Sequence, residues 1–245
     1  HMGIRFIFGR AGSGKSYYCL NQIKKKLEND KNNKLILLVP DQYTFQTEKK
    51  LLEHIGERAL LRAEVLSFKR MATRVFDRCG GRAINVIEDS GKNMLIYKLL
   101  KDKGEELQYF NRISKQQGFV GIVSKSITEF KKYNISEEIL IEKESQIDNK
   151  DLKEKVNDLA SIYKIFNENL HKGYIDSEDI LSILAKKLKE CELYNDAEIW
   201  VDEFTTFTPQ QLEVLKVLAK QCKNINITLC SDGQSQFTEG ETDIF

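Results

Sequence analysis

Only two prolines, Pro40 and Pro209, occur in 245 residues, which excludes a Pro-rich linker between domains. An excess of one charge sign is missing as well: 38 Lys and Arg stand against 37 Asp and Glu, a net charge of +1. Net charge therefore argues neither for nor against a polyanionic partner, and any nucleic-acid contact must come from a local patch. No apolar run approaches the ~20 residues of a membrane span, and the start has no signal-peptide core. The expectation is a cytoplasmic protein with no membrane partner. The five cysteines, Cys19, Cys79, Cys191, Cys222 and Cys230, are scattered and never in C-x-x-C spacing. They read as reduced thiols, not as a disulfide frame or a zinc site. His54 and His171 have no companions in the sequence and read as helix-surface residues. His1-Met2 reads as an added residue before a native start at Met2.

Against these absences stands one dense motif. Gly9-Arg10-Ala11-Gly12-Ser13-Gly14-Lys15-Ser16 fills every fixed position of the G-x-x-x-x-G-K-[ST] phosphate-binding loop. The apolar run 4–8 leads in as a strand, and the helix-forming stretch 17–28 leads out. Glycines let successive backbone N–H groups turn inward around a phosphate, and the helix N-terminus adds its positive end. In this pattern Lys15 reaches the β- and γ-phosphates, and the Ser16 hydroxyl sits on Mg²⁺. The implied ligand is ATP or another nucleoside triphosphate, with Mg²⁺.

The first third of the chain alternates strand and helix signals. Residues 34–39 form a continuous apolar run ended by Pro40, as in a buried parallel strand. A helix over 42–55, a strand over 63–67 and a helix over 68–77 follow, before Cys79-Gly80-Gly81 breaks the pattern. This βαβαβα order predicts a doubly wound parallel sheet. From 88 to 195 the texture is helix-periodic and Lys/Glu-rich, with helices expected over 90–101, 117–133, 136–144, 152–171 and 177–190, and no strand. Ser136 and Ser177, each followed by acids, read as helix caps. Sheet texture resumes with a strand over 197–203, a helix over 208–221 with Pro209 in its first turn, and a strand over 224–230. The expected organisation is one α/β domain, 3–87 plus 196–245, interrupted by an all-helical insertion, 88–195.

A second half-site lies on the resumed sheet. Ile199-Trp200-Val201-Asp202-Glu203 delivers two acids to a strand's carboxyl end, where open α/β sheets bind ligands. Asp202 can hold Mg²⁺ directly or through water, and Glu203 is placed to polarise an attacking water. Gln234, in Ser231-Asp232-Gly233-Gln234-Ser235-Gln236 after the next strand, is a candidate γ-phosphate sensor. Lys15 and Asp202 stand 187 positions apart, far more than a minimal nucleotide-binding domain needs, and the helical stretch explains the excess.

Taken in order, the phosphate loop, the helical insertion, the V-D-E-F strand end and the S-D-G-Q-S loop resemble superfamily 1 DNA helicases of the UvrD/RecB type. The resemblance implies a RecA-like subdomain 1A carrying a 1B-like insertion. Gly173-Tyr174-Ile175-Asp176-Ser177-Glu178-Asp179-Ile180-Leu181 is similar to the D-F-x-D-L segment of those enzymes. Val65-Leu66-Ser67-Phe68-Lys69-Arg70-Met71 is similar to their V-x-T-F-H-S-F element, which makes Ser67, Phe68, Lys69 and Arg70 candidate DNA contacts. More narrowly, Leu38-Val39-Pro40-Asp41-Gln42-Tyr43-Thr44-Phe45-Gln46-Thr47-Glu48-Lys49 and Val201-Asp202-Glu203-Phe204-Thr205-Thr206-Phe207-Thr208-Pro209-Gln210 resemble the B subunit of AddAB-type ATP-dependent helicase/deoxyribonucleases. Proteins of this type act in double-strand-break repair and recombination with an AddA-type motor and nuclease partner, on single- and double-stranded DNA. The match is to the amino-terminal region. A second RecA-like domain and a nuclease domain with an iron–sulfur cluster belong to the family's remaining, carboxy-terminal part. The resemblance implies that this piece holds ATP and Mg²⁺ but does not by itself unwind or cut DNA. Gln42-Tyr43-Thr44-Phe45 replaces the motors' T-F-T-N phrase, which fits recognition and scaffolding better than translocation.

Two function classes stay open on the sequence: a slow ATPase within a helicase–nuclease complex, and a non-hydrolysing ATP-switched scaffold or DNA-recognition protein. A P-loop small-molecule kinase would need a lid arginine set and a shorter spacing, and neither is visible.

Overall fold

The computed structural model describes residues 3–29, 33–57, 61–80, 85–113, 118–170, 174–230 and 239–241. They form two compact units, His1–Gly81 with Leu181–Phe207 and Gln211–Phe245, and Arg82–Ile180 with Thr208–Gln210. Among the described residues no helix is long and apolar enough to cross a membrane.

The first unit is α/β. Its strands are β1 (Gly3–Gly9), β2 (Leu35–Leu38), β3 (Ala63–Leu66), β6 (Glu198–Val201), β7 (Asn224–Cys230) and β8 (Glu239–Glu241), in the spatial order β3-β2-β6-β7-β1-β8. All pairings are parallel except β1 with β8, an antiparallel addition for which the sequence offers no signal. Leu35 and Leu37 point to one face of β2 and Ile36 and Leu38 to the other, yet all four are buried, so both faces are covered. On one face the strands pack with α1 (Lys15–Asn29) and α2 (Thr44–Ile55) through Ile7, Cys19, Ile23, Leu51, Val65 and Trp200. The other helices of this unit are α3 (Phe68–Cys79), most of α9 (Ile180–Leu188) and most of α10 (Pro209–Gln221). Strand β7 lies between β1, which ends in the glycine-rich loop, and β6, which ends in the acids.

Cys79 and Cys191, both in this unit, form a disulfide with Cα atoms 5.9 Å apart. The expectation of free thiols is corrected for this pair. The bond joins the end of α3 to the turn after α9 across 112 residues, a proximity that spacing along the chain cannot reveal. Cys19 and Cys222 are buried and free, and burial raises both thiol pKa values, that of Cys222 to about 12.

The second unit contains α4 (Asp89–Lys103), α5 (Tyr109–Ile113), α6 (Phe119–Lys132), α7 (Glu137–Glu144) and α8 (Lys150–Leu170). They surround Ile96, Phe110, Val123, Ile127, Leu159 and Phe166. Ser136 caps α7 as expected, its Oγ accepting from Ile139 N. Asp158, only 2% exposed, accepts the backbone N–H groups of Gln108, Tyr109 and Phe110 at 2.8–3.1 Å, satisfying the orphan donors at the start of α5. The stretch 88–195 is not all-helical: β5 (Tyr174–Asp176) pairs in parallel with β4 (Asn85–Ile87). Each strand is three residues long, too short for a period-2 pattern to register. Of the predicted helix 177–190, the first turn is a 3₁₀ turn, Ser177–Asp179, capped by the Asp176 carboxylate.

Candidate phosphate-binding site

The loop after β1 is folded as its glycines demand. Gly12 and Gly14 have φ of 75° and 86°, left-handed conformations that glycine adopts without the Cβ penalty of other residues. Gly9 lies close under the side chains of Ser13 and Lys15, which a Cβ there would force to shift. Ser13 N–H donates to Arg10 O at 3.0 Å, closing the turn, and Tyr18 N–H donates to Gly14 O at 2.8 Å, starting α1. Lys15 folds back over the loop, its Nζ donating to the carbonyls of Gly9 and Arg10 at 2.8 Å each. One ammonium and a helix N-terminus thus converge on an open cavity of about 410 Å³ lined by the loop residues 11–16, Asp202 and Glu203.

The two carboxylates arrive from β6 in different states. Asp202 is 5% exposed, and its Oδ1 accepts a hydrogen bond from Thr228 Oγ1 of β7 at 2.6 Å. Asp202 N–H also donates to Leu38 O, extending the pairing of β6 with β2 by one step. Glu203 is exposed and has φ of 67°, a rare conformation for a residue with a side chain. The bend turns its carboxylate toward the loop, where Glu203 Oε1 accepts from Ser16 Oγ at 3.0 Å. That bond joins residues 187 positions apart and brings the two predicted half-sites into one. A hydroxyl, a buried carboxylate and an exposed carboxylate are hard oxygen donors, the kind Mg²⁺ takes, and the loop's N–H groups and Lys15 suit a phosphate chain.

The family described as "ADDB, N-terminal" matches residues 6–245. The chain belongs to this AddB amino-terminal family. Similar proteins are the B subunits of the ATP-dependent helicase/deoxyribonucleases of three clostridia. That of Clostridium perfringens strain 13 is 52% identical over 244 residues, and that of Clostridium kluyveri strain NBRC 12016 is 47% identical over 245. Its counterpart in Clostridium botulinum strain Loch Maree is 48% identical over 246 residues. Each alignment takes in 100% of this chain, which spans 21% of the length of those AddB proteins.

The family's other phrases have structural uses here. Ser67 is buried and caps α3, its Oγ accepting from Arg70 N at 3.1 Å. Phe68 is 5% exposed and packs edge-on against Phe204, which stacks on Phe207, so the S-F-K and F-T-T-F phrases meet in one aromatic cluster. Lys69 and Arg70 are exposed, with Arg70 paired to Glu48 at 2.6 Å. Of the four candidate DNA contacts, two are therefore internal side chains and two reach the surface. Gln234 lies outside the described residues. Two residues at the cavity carry no recognisable signal in the sequence. Tyr43 enters it from the 3₁₀ turn Asp41–Tyr43, and Thr228 holds Asp202. The only cue to Thr228 is a hydroxyl in an otherwise apolar strand end.

Proposed function

We propose that this chain is the Mg-ATP-binding, RecA-like region of the B subunit of a heterodimeric helicase–nuclease that acts in DNA double-strand-break repair and recombination. The observation that carries the reading is the hydrogen bond from Ser16 to Glu203, because it unites the phosphate loop with the acidic strand end. In this reading the N–H groups of residues 9–16 and the Lys15 ammonium hold the phosphates. Ser16 and Asp202 would hold Mg²⁺: the Ser16 hydroxyl keeps a lone pair for the ion while its O–H donates to the Glu203 carboxylate. Bound Mg²⁺ would offset phosphate charge. Glu203 is the base that orients water. The sheet unit corresponds to subdomain 1A and the helical unit to an insertion like 1B. The relatives' shared name, which makes each of them one lettered component of a helicase/deoxyribonuclease, supports a partner chain, proposed to be an AddA-type motor and nuclease.

Glu203→Gln tests hydrolysis against switching in the assembled complex. It keeps the Ser16 hydrogen bond but removes the base. Slow ATPase activity attributable to this site is expected to fall about 10²-fold or more, with ATP binding retained. Unchanged turnover would instead favour a non-hydrolysing ATP-switched scaffold.

DNA contact in this reading rests on Lys69 and Arg70. Losing two phosphate contacts should lower the slope of log affinity for single-stranded DNA against log salt by about 1.4. An unaltered slope in the Lys69→Ala/Arg70→Ala protein would remove this element from the DNA interface.

A further inference from the structure

Tyr17 follows the loop directly, and its ring is 60% exposed. It is not loose: it meets the His54 ring edge-on, with centroids 5.0 Å apart and planes at 66°. His54 in turn is fixed by Asn21, with Nε2 2.7 Å from Asn21 Oδ1, an arrangement in which the ring N–H donates to the amide oxygen. The residue that reads as a solitary surface histidine in the sequence is thus the middle of a three-member chain between α1 and α2. Beside it opens a second cavity of about 430 Å³, lined by Ser16, Tyr17, Leu20, Lys50, Glu53 and His54. Small-ligand sites typically measure roughly 300–1,000 Å³, and an apolar wall with a few polar groups is their usual character.

Position decides what this cavity can take. Ser16 lines both it and the cavity over the phosphate loop, so the two adjoin at the residue next to Tyr17. A phosphate chain seated on residues 9–16 carries a ribose and a base at its far end, and these must leave the loop along one flank. The α1–α2 flank offers an exposed aromatic face already oriented by a neighbour, which lowers the ordering cost of stacking. Glu53 and His54 add polar groups at the rim that can meet a base's edge.

We infer that Tyr17, positioned by His54 and Asn21, is the stacking platform for the nucleobase of the bound nucleotide. This rests on the nucleotide reading above and adds the subsite for the base. The polar rim and the exposed face of Tyr17 fit a purine ring stacked on Tyr17 with its edge toward Glu53 and His54.

The test compares Mg-ATP with Mg-tripolyphosphate, which has the phosphates and no base, on this chain and on Tyr17→Ala, Tyr17→Phe and His54→Ala. Base–aromatic stacking contributes about 1–3 kcal/mol by alanine substitution, so Tyr17→Ala should weaken Mg-ATP binding about tenfold. Tripolyphosphate affinity should not change. Tyr17→Phe should keep full ATP affinity, and His54→Ala should lose part of it, again for ATP alone. Equal ATP affinity in Tyr17→Ala and the parent, with tripolyphosphate bound by both, overturns the platform and leaves the phosphate site standing. Parallel loss of both ligands overturns it too, since the ring would then support the loop and not the base. Failure of the parent chain to bind either ligand removes the nucleotide reading and this inference together.

Discussion

Lys15→Ala is expected to weaken Mg-ATP binding by about 10²–10³-fold while leaving the fold intact. Removing one partner of a close, hydrogen-bonded charge pair typically costs about 2–5 kcal/mol, and this ammonium would face the most charged part of the ligand. Its present partners are the Gly9 and Arg10 carbonyls at 2.8 Å, so it already spans the loop where phosphate oxygens would lie. Those bonds are not what holds the loop. Its shape comes from the left-handed Gly12 and Gly14, the Ser13-to-Arg10 turn and the start of α1, none of which needs the lysine side chain. The thermal midpoint without nucleotide should therefore match the parent's, whereas the nucleotide-induced rise should vanish. Affinity within about threefold of the parent would mean that the loop is architectural and that the nucleotide is held elsewhere on the 245-residue chain. A second variant isolates the backbone contribution. Gly14→Ala forces a side chain into φ of 86° and should damage binding with the lysine still present.

How much of the site is legible in the sequence differs between its halves. The phosphate loop can be read outright, because its chemistry is local: strand, glycines, lysine, hydroxyl and helix follow one another without a break. Asp202 and Glu203 can be read as a strand end whose two acids suit Mg²⁺ and an attacking water. Their meeting with Ser16 depends on β2 and β7 flanking β6, which no local pattern contains. Thr228 stays hidden because its function is defined only by the neighbouring strand. Tyr17 and His54 stay hidden because α1 and α2 must pack before their rings come within 5.0 Å. The helical stretch reveals its periodicity well and its exceptions badly. A three-residue β5 has too few positions for alternation, and the D-S-E-D phrase around it invites a surface reading although Asp176 is fully buried. At Ser67 and Phe68 the resemblance points to a DNA-touching surface, while the fold uses one as a helix cap and the other in an aromatic cluster.

Asp176 carries the second large effect: Asp176→Ala should destabilise the helical unit by about 3–5 kcal/mol, the usual cost of stranding buried charge. The carboxylate has no exposed surface and lies 3.2 Å from Lys92 Nζ and 3.5 Å from Lys131 Nζ through Oδ2. This contact is an ion pair without a directed hydrogen bond on that oxygen. Lys92 is 1% exposed and also meets the Thr128 hydroxyl at 2.7 Å and the Phe166 ring at 5.9 Å. Lys131 also pairs with Asp179 and has the same ring 5.7 Å away. Two cations thus depend on one fully buried anion and one partly exposed one. Oδ1 has a separate duty, accepting Glu178 N–H at 3.1 Å as the cap of the Ser177–Asp179 turn. The burial that seats the turn also raises the pKa of the Glu178 carboxyl. Asp176→Asn keeps the cap and removes only the charge, so it should fall between the parent and the alanine variant. Amide hydrogen exchange in α4, α6 and α8 reads the loss within this unit without assuming that the whole chain unfolds in one step. Parent-like protection in Asp176→Ala would sink the argument. The decisive comparison adds Lys92→Met to Asp176→Asn. Removing a buried cation together with its anion is often nearly neutral, so the double variant should recover protection that the single one lost. If it does not, the cap and the packing of Asp176 hold this unit together, and the ion pair contributes little.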